Sequence, residues 1–189
     1  MSRFLLIEPG STEFDDQRRM KGSLDMPLSR IGRSQVLAAV RELAELQIDR
    51  IFTAPCQSAR ETAETLAERC GGRVKVVDAL RNVDHGLWQG KQIDELRIKQ
   101  PRIYRTGQDH PDQICPPGGE TVDQARARVE KLLCKLKRKH RSGTIAIVAP
   151  DPLASIVRSL LRGDSMQDLW KSETDEALWE LIETEPATV

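Results

Sequence analysis

The sequence predicts an α/β fold: a mostly parallel central sheet with helices on both of its faces. Short apolar runs typical of buried strands alternate along the chain with longer segments whose apolar residues recur at helical spacing. The chain has 189 residues with 29 basic and 29 acidic side chains. That size and charge balance suit one globular domain, so we expect residues 1–189 to form a single domain.

Strands are expected where the apolar runs are short and rich in β-branched residues. The runs are Arg3–Ile7, Arg50–Thr53, Val74–Val77 and Thr144–Val148. A further segment, 177–182, is ambiguous between helix and strand, and we interpret it as a late edge strand. Residues 183–189 are expected to form a frayed tail.

Helices are expected between these strands, where apolar residues fall on one helical face. The faces run from Val36 to Leu46, from Ala59 to Cys70, from Val122 to Leu136 and from Leu153 to Leu161. Two local patterns predict where helices begin. Ser58-x-x-Glu61 is a capping box that places Ser58 at an N-cap, and Asp151-Pro152 is typical of an N-cap followed by a proline in the first turn.

Residues 78–119 break the strand-helix alternation. The stretch is rich in Gly, Pro and charged residues, and only Gln92–Lys99 has the spacing of a helix. We therefore predict an insertion above the carboxyl ends of the strands, with Trp88 packing it onto the core. Long insertions of this kind are usually functional or mobile.

Three predicted strands run into turns of similar character, at residues 8–12, 54–58 and 149–152. In open α/β sheets, ligands bind in the crevice outside the carboxyl ends of parallel strands. We therefore expect these three turns to face one pocket.

Several segments, in order, resemble the motifs of the histidine phosphatase superfamily, which has the phosphoglycerate-mutase-like fold. The similar segments are Ile7–Glu13, Arg19–Gln35, Thr53–Ala63, Leu80–Gly90, Pro116–Thr121 and Val148–Leu153. The resemblance covers nearly the whole chain. It implies a reaction in which a histidine takes the phosphoryl group, cationic side chains hold that group and an acid protonates the leaving group.

This sequence departs from the family's pattern at each of those positions. Pro9 stands at the nucleophilic histidine and Glu8 at the neighbouring arginine, while Ser58 replaces a second phosphate-binding arginine. Asn82 stands at the acidic residue and Pro150 at the second histidine. We therefore expect a catalytically inactive relative, a pseudoenzyme with a binding or regulatory role. The alternative is a phosphoric-ester hydrolase of this family that uses displaced or non-standard residues.

Six other residues are candidates for lining a binding pocket, because they fall in or beside the matching turns: Gly10, Ser11, Thr12, Arg19, Glu120 and Asp151. Arg19 is expected either to attract an anion or to pair with Glu13 or Asp16. Because a carboxylate just past a buried strand needs a partner, Glu8 is expected to contact Arg19 or a pocket amide.

Replacement chemistries remain open alternatives. Glu8, Glu13, Glu120 and Asp151 could offer oxygen ligands to Mg²⁺ or Ca²⁺, but no spacing specific to a metal is visible, so we predict neither a metal nor another cofactor. Cys56 is a conceivable nucleophile, since it lies in one of the turns. A relocated histidine, His85, His110 or His140, is a further possibility.

The composition limits the classes of partner. Zero net charge argues against nucleic acid and against a membrane surface, although residues 135–141 form a local basic run. The cysteines show no paired spacing and no apolar run is long enough for a membrane span or a signal peptide, so we expect a cytoplasmic protein. The partner is unknown, either a protein or a small molecule, and the chain is expected to be a monomer or a homodimer.

Overall fold

The structure is a computed structural model that describes residues 2–166, 168–170 and 178–184. Its sheet has five strands in the order β3-β2-β4-β1-β5. They are β1 (Ser2–Ile7), β2 (Arg50–Thr53), β3 (Arg73–Val76), β4 (Gly143–Val148) and β5 (Trp179–Thr184). The first four pair in parallel and β5 is antiparallel to β1. The predicted, mostly parallel sheet is therefore confirmed.

The late edge strand is confirmed as β5, but its bounds are shifted along the sequence. It begins at Trp179, and residue 177 lies outside the described residues. We expected Glu183 in a frayed tail, but Glu183 pairs with Arg3 of β1, so Glu183 and Thr184 belong to the strand. Residues 185–189 of the expected tail also lie outside the described part of the chain.

Helices flank the sheet as expected. They are α1 (Glu13–Asp16), α2 (Arg30–Glu42), α3 (Gln57–Cys70), α4 (Ile93–Lys99), α5 (Pro101–Asp109), α6 (Val122–Lys139) and α7 (Leu153–Arg162). The chain crosses the sheet one way from β1 to β3 and returns to β4. Because such crossovers are right-handed, α2 and α3 cover one face and α6 covers the other, where α7 packs against it.

The core lies between the sheet and these helices. Phe4 and Leu5 of β1 and Ile145 and Ala146 of β4 are all buried, although neighbours along a strand point to opposite faces. Strands covered on both faces are apolar throughout, which explains the continuous apolar runs in the sequence.

The insertion is more helical than predicted. The short helix is confirmed as α4, but α5 follows it directly, whereas we expected irregular structure there. Trp88 does not pack onto the main core. It belongs to a second apolar cluster with Met20, Leu96, Ile114 and Trp170.

Both predicted helix starts are displaced. Ser58 is buried inside the first turn of α3 and Cys56 is the N-cap, because the Asp25 carboxylate accepts a hydrogen bond from the Gln57 N–H at 2.6 Å. The first turn is thus capped from outside the helix. The N-cap of α7 is Pro152 instead of Asp151.

Among the described residues, no helix has both the length and the apolar character that crossing a bilayer requires.

Candidate functional site

Glu8, the first residue after β1, is held by α7, which lies far from it in the sequence. Glu8 Oε1 accepts a hydrogen bond from Arg158 Nη2 of α7 at 2.9 Å, and Arg158 Nε donates to Glu180 of β5 at 3.0 Å. We expected Glu8 to contact Arg19 or a pocket amide, whereas the structure describes a contact of its carboxylate with the Arg158 guanidinium. The Arg158 guanidinium of α7 therefore links the end of β1 to β5.

The next turn residues are used in packing. A Cβ on Gly10 would lie 2.2 Å from the Gly32 carbonyl oxygen, so the two backbones touch. The Ser11 N–H donates to Gln35 Oε1 at 2.9 Å. Gly10 and Ser11 thus dock this turn onto the start of α2, and neither residue lines either of the two cavities described below.

Thr12 anchors a short chain of polar contacts. Its side chain and that of Asp15 form a capping box around α1. Asp15 Oδ2 also accepts a hydrogen bond from Lys21 Nζ at 2.7 Å. The Lys21 side chain is only 11% exposed, so this ion pair fixes an ammonium group close to the carboxyl edge of the sheet.

A first cavity, of about 160 Å³, opens at the carboxyl ends of β2 and β4. Its lining combines two cations with apolar groups and one thiol: Lys21, Arg81, Leu24, Pro55, Cys56 and Pro150. Arg81 also contacts Asp78 at 2.8 Å and Glu120 at 3.8 Å. Two of the three turns that we expected to share a pocket, 54–58 and 149–152, meet here.

Cys56 contributes a thiol to the lining of this cavity. It is half-buried and lies at the N-cap of α3, with Sγ 3.7 Å from Ser58 Oγ. The first amides of α3 are already bonded, since Ser58 N–H donates to the Met26 carbonyl at 3.0 Å and Gln57 N–H to Asp25. An anion in this cavity therefore depends on the side-chain cations.

Asn82 forms one wall of the first cavity. It is 5% exposed, and its Nδ2 donates to the carbonyl oxygens of Gly22 at 3.0 Å and Asp151 at 2.8 Å. Its Oδ1 accepts from the Leu153 N–H at 3.4 Å. The side-chain amide of Asn82 thus joins its own segment to Gly22 and to the turn that precedes α7.

A second cavity, of about 80 Å³, lies on the other side of Gly22. Its lining includes Arg18, Arg19, Lys21, His85, Asp151 and Trp170. Arg19 donates to the Gly90 carbonyl at 2.7 Å and to Gln17 at 2.9 Å. The described contacts of Arg19 thus include neither Glu13 nor Asp16, and the pairing that we considered is not observed.

Two ionisable groups with shifted pKa values line this second cavity, the buried His85 and the half-buried Asp151. Burial lowers the pKa of His85 from 6.5 to about 4, against a weaker opposing effect of Asp84. Its Nδ1 is buried and has no hydrogen-bond partner among the described residues. Burial raises the pKa of Asp151, although Ser155 donates two hydrogen bonds to its carboxylate and Arg158 and Lys21 oppose the effect.

Glu120 lines neither cavity. Its carboxylate binds Arg128 through both oxygens at 2.8 Å, and both side chains are 13% exposed. Arg128 also donates to the Ala79 and Asn82 carbonyl oxygens at 2.7 and 3.2 Å. Glu120 therefore supports the segment that carries Asn82.

Two further alternatives from the sequence were a metal site and a relocated histidine. The described residues include no cluster of three or more His, Cys, Asp and Glu side chains able to hold a metal ion. His110 is exposed, and His140 packs edge-on against Phe52, with ring centroids 6.0 Å apart. Of the three histidines, only His85 lines either cavity.

Sequence reasoning missed Lys21 and Arg81 as cavity cations. Both lie inside the segments that resemble family motifs, next to Gly22 and Asn82, but neither occupies a position with an expected role. The sequence indicated a role for Lys21 and Arg81 only through their location within these segments.

Comparison with known proteins decides the family. The model of the histidine phosphatase superfamily (branch 1) matches residues 4–188. The chain belongs to this superfamily. It is 27% identical to phosphoserine phosphatase 1 of Hydrogenobacter thermophilus over 186 residues, covering 98% of this chain and 88% of that protein.

Solved structures agree on the fold. A mycobacterial hydrolase superposes with a TM-score of 0.84 at 26% identity, covering 95% of this chain and 89% of that one. A mycobacterial glucosyl-3-phosphoglycerate phosphatase in complex with VO3 gives a TM-score of 0.81 at 26% identity, over 96% and 90% of the two chains.

These comparisons contradict our expectation of a catalytically inactive binding protein. The similar proteins are named as phosphatases, and the similarity extends over nearly the whole of each chain. The findings favour the alternative, a phosphatase-type hydrolase.

Proposed function

We propose that this chain is a phosphoric-ester hydrolase that acts on a small phosphomonoester in the first cavity. The observation that carries the proposal is the presence of Lys21, Arg81 and the Cys56 thiol around one cavity at the carboxyl edge of the sheet. The cations outnumber the single carboxylate in the lining, Asp25. The family membership and the names of its relatives support the same reaction class.

The chemistry must run through residues other than those at the family positions. Pro9 and Pro150 have side chains without a nitrogen atom, so neither can form a phosphohistidine. Cys56 is the residue of the first cavity with a strongly nucleophilic atom, and a thiolate is a competent nucleophile. We assign the attack on phosphorus to Cys56 Sγ.

The proposed reaction has two steps. The thiolate forms a P–S bond while the ester P–O bond breaks, and the Lys21 ammonium gives its proton to the departing alkoxide. Water then attacks phosphorus, the P–S bond breaks, phosphate leaves and the water proton returns to Lys21. Arg81 and Lys21 offset the negative charge on the phosphoryl oxygens.

The substrate class follows from the cations of the first cavity and from the names of two relatives. Phosphoserine and glucosyl-3-phosphoglycerate, named for two relatives, are both phosphorylated carboxylic acids. The first cavity has two cations, Lys21 and Arg81, which suit a small substrate with a carboxylate close to its phosphoryl group. We therefore expect a phosphorylated carboxylic acid to be a better substrate than a neutral alkyl phosphate.

A substrate panel tests this proposal. Phosphate release is measured with phosphoserine, 3-phosphoglycerate, p-nitrophenyl phosphate and ethyl phosphate, with heat-denatured protein as the control. We expect turnover with kcat/KM above about 10² M⁻¹ s⁻¹ for at least one carboxylated ester, below the usual range of enzymes. Release that never exceeds the denatured control contradicts the proposal.

A further inference from the structure

The two cavities are neighbours, and Lys21 and Gly22 line both of them. Asn82 and Pro150 line only the first, whereas Asp151 and Pro152 line only the second. The chain segments on either side of the boundary are therefore Gly22 and the turn that follows β4.

One side chain joins those segments. Asn82 Nδ2 donates to Gly22 O at 3.0 Å and to Asp151 O at 2.8 Å, so the amide lies between the two carbonyl groups. The side chain is buried, and its remaining polar atom is bonded to Leu153 N–H of α7. Its position is also fixed from behind, because Arg128 binds its carbonyl oxygen.

We propose that Asn82 is a specificity-determining residue whose side chain forms the partition between the two cavities. A ligand then occupies one cavity at a time, and a long ligand cannot place its two charged ends in both. Shortening Asn82 opens a passage beside Gly22 and joins the cavities into one cleft. The proposal rests on the proposed function only for the ligand class, a phosphoryl-type anion that carries a carboxylate.

The charge distribution supports a ligand with two anionic ends. The first cavity has Lys21 and Arg81, and the second has Arg18 and Arg19 in addition to the shared Lys21. Asp25 also lines the first cavity, and Asp15 and Asp151 line the second, so the cations exceed the carboxylates by one in each cavity. When a passage joins them, binding of the second group becomes intramolecular and the affinity for the long ligand increases.

Two non-hydrolysable probes test the partition by calorimetry. Methylphosphonate is short, and phosphonohexanoate carries a carboxylate at the end of an alkyl chain. We expect Asn82→Ala to bind phosphonohexanoate at least about tenfold more tightly than wild type, which corresponds to one decade in Kd. Its affinity for methylphosphonate should change by less than about threefold.

Asn82→Leu is the matched control, because the leucine side chain has the same number of heavy atoms and the same branching as asparagine but makes none of its hydrogen bonds. If the partition is steric, Asn82→Leu keeps the wild-type ratio of the two affinities. An equal gain in Asn82→Leu and Asn82→Ala, equal changes for both probes, or no binding of phosphonohexanoate by Asn82→Ala overturns the proposal. Cooperative thermal unfolding of both variants confirms that they are folded.

This result is independent of turnover. A change in the affinity ratio without any phosphate release from the substrate panel refutes the proposed hydrolase and leaves the partition standing. Turnover with an unchanged affinity ratio refutes the partition alone.

Discussion

Glu8 Oε1 lies 2.9 Å from Arg158 Nη2, and the two side chains are 18% and 22% exposed. The pair connects the carboxyl end of β1 to α7. Arg158 also contacts Glu180 at 3.0 Å, so the same guanidinium holds the edge strand β5. Glu8 stands at the position where the family has a phosphate-binding arginine. In this chain, the residue at that position contributes to the structural framework.

Replacing Glu8 should therefore lower stability. We expect Glu8→Gln to reduce the free energy of unfolding by about 2 kcal/mol, since a charge-assisted hydrogen bond in a partly buried site is lost. Glu8→Arg should cost more, because it sets two guanidinium groups against each other. Urea unfolding measures both. Equal stability of Glu8→Arg and Glu8→Gln would refute the role assigned to the pair.

The buried His85 predicts a pH dependence. Its pKa is about 4 in the folded protein and about 6.5 in the unfolded chain, so the unfolded chain binds more protons between those values. The neutral imidazole therefore contributes stability above pH 6.5 that is lost as the pH falls towards 4.

The prediction is tested with His85→Phe, which cannot titrate. Between pH 7 and pH 5, wild type should lose about 2 kcal/mol more stability than this variant. The comparison cancels other groups, including Asp151, whose raised pKa acts in the opposite direction. The exposed His110→Asn should retain the wild-type slope, and a wild-type slope in His85→Phe would contradict the prediction.

Arg128 binds both carboxylate oxygens of Glu120, so we expect that a positive charge at position 128 is not enough to keep the stability of the protein. Arg128→Lys keeps the charge but cannot bind both carboxylate oxygens and the Ala79 and Asn82 carbonyls together. We expect a loss of about 1–3 kcal/mol in unfolding free energy. Arg126→Lys, which loses one hydrogen bond of 3.4 Å, is the matched control and should cost clearly less.

Gly107 allows Trp170 to pack on α5. An added Cβ would lie 2.3 Å from Trp170 Nε1, which donates to the Tyr104 carbonyl at 2.7 Å. Gly107→Ala should therefore displace the indole and cost about 1–3 kcal/mol, despite the higher helix propensity of alanine. Thermal unfolding and tryptophan emission report the change. Arg105→Ala, exposed on the same helix, should leave both nearly unchanged.

The sequence predicted the sheet well because strands covered on both faces leave continuous apolar runs. It missed α5, because Pro101 and Gly107 are typical of a loop, whereas here the proline occupies the first turn and the glycine contacts Trp170. Neither role is visible without the tertiary contact.

The candidate site was predicted in location but not in its contacts. The turns after β2 and β4 meet as expected, yet Glu8 binds a residue 150 positions away, and Asp25 caps α3 from 32 positions away. No local pattern signals such pairs. The prediction of inactivity followed from the residues at five family positions, Glu8, Pro9, Ser58, Asn82 and Pro150, and the similarity to named phosphatases contradicts it.

Cysteine variants give the most direct measurement of the central claim, that Cys56 attacks phosphorus in the first cavity. Phosphate release from the best substrate of the panel is compared for wild type, Cys56→Ala and Cys115→Ala, purified in parallel. Cys115 is exposed and lines neither cavity, so it is the matched control. The account predicts that Cys56→Ala loses at least about 100-fold in kcat while Cys115→Ala is unchanged. Equal rates for wild type and Cys56→Ala would contradict it.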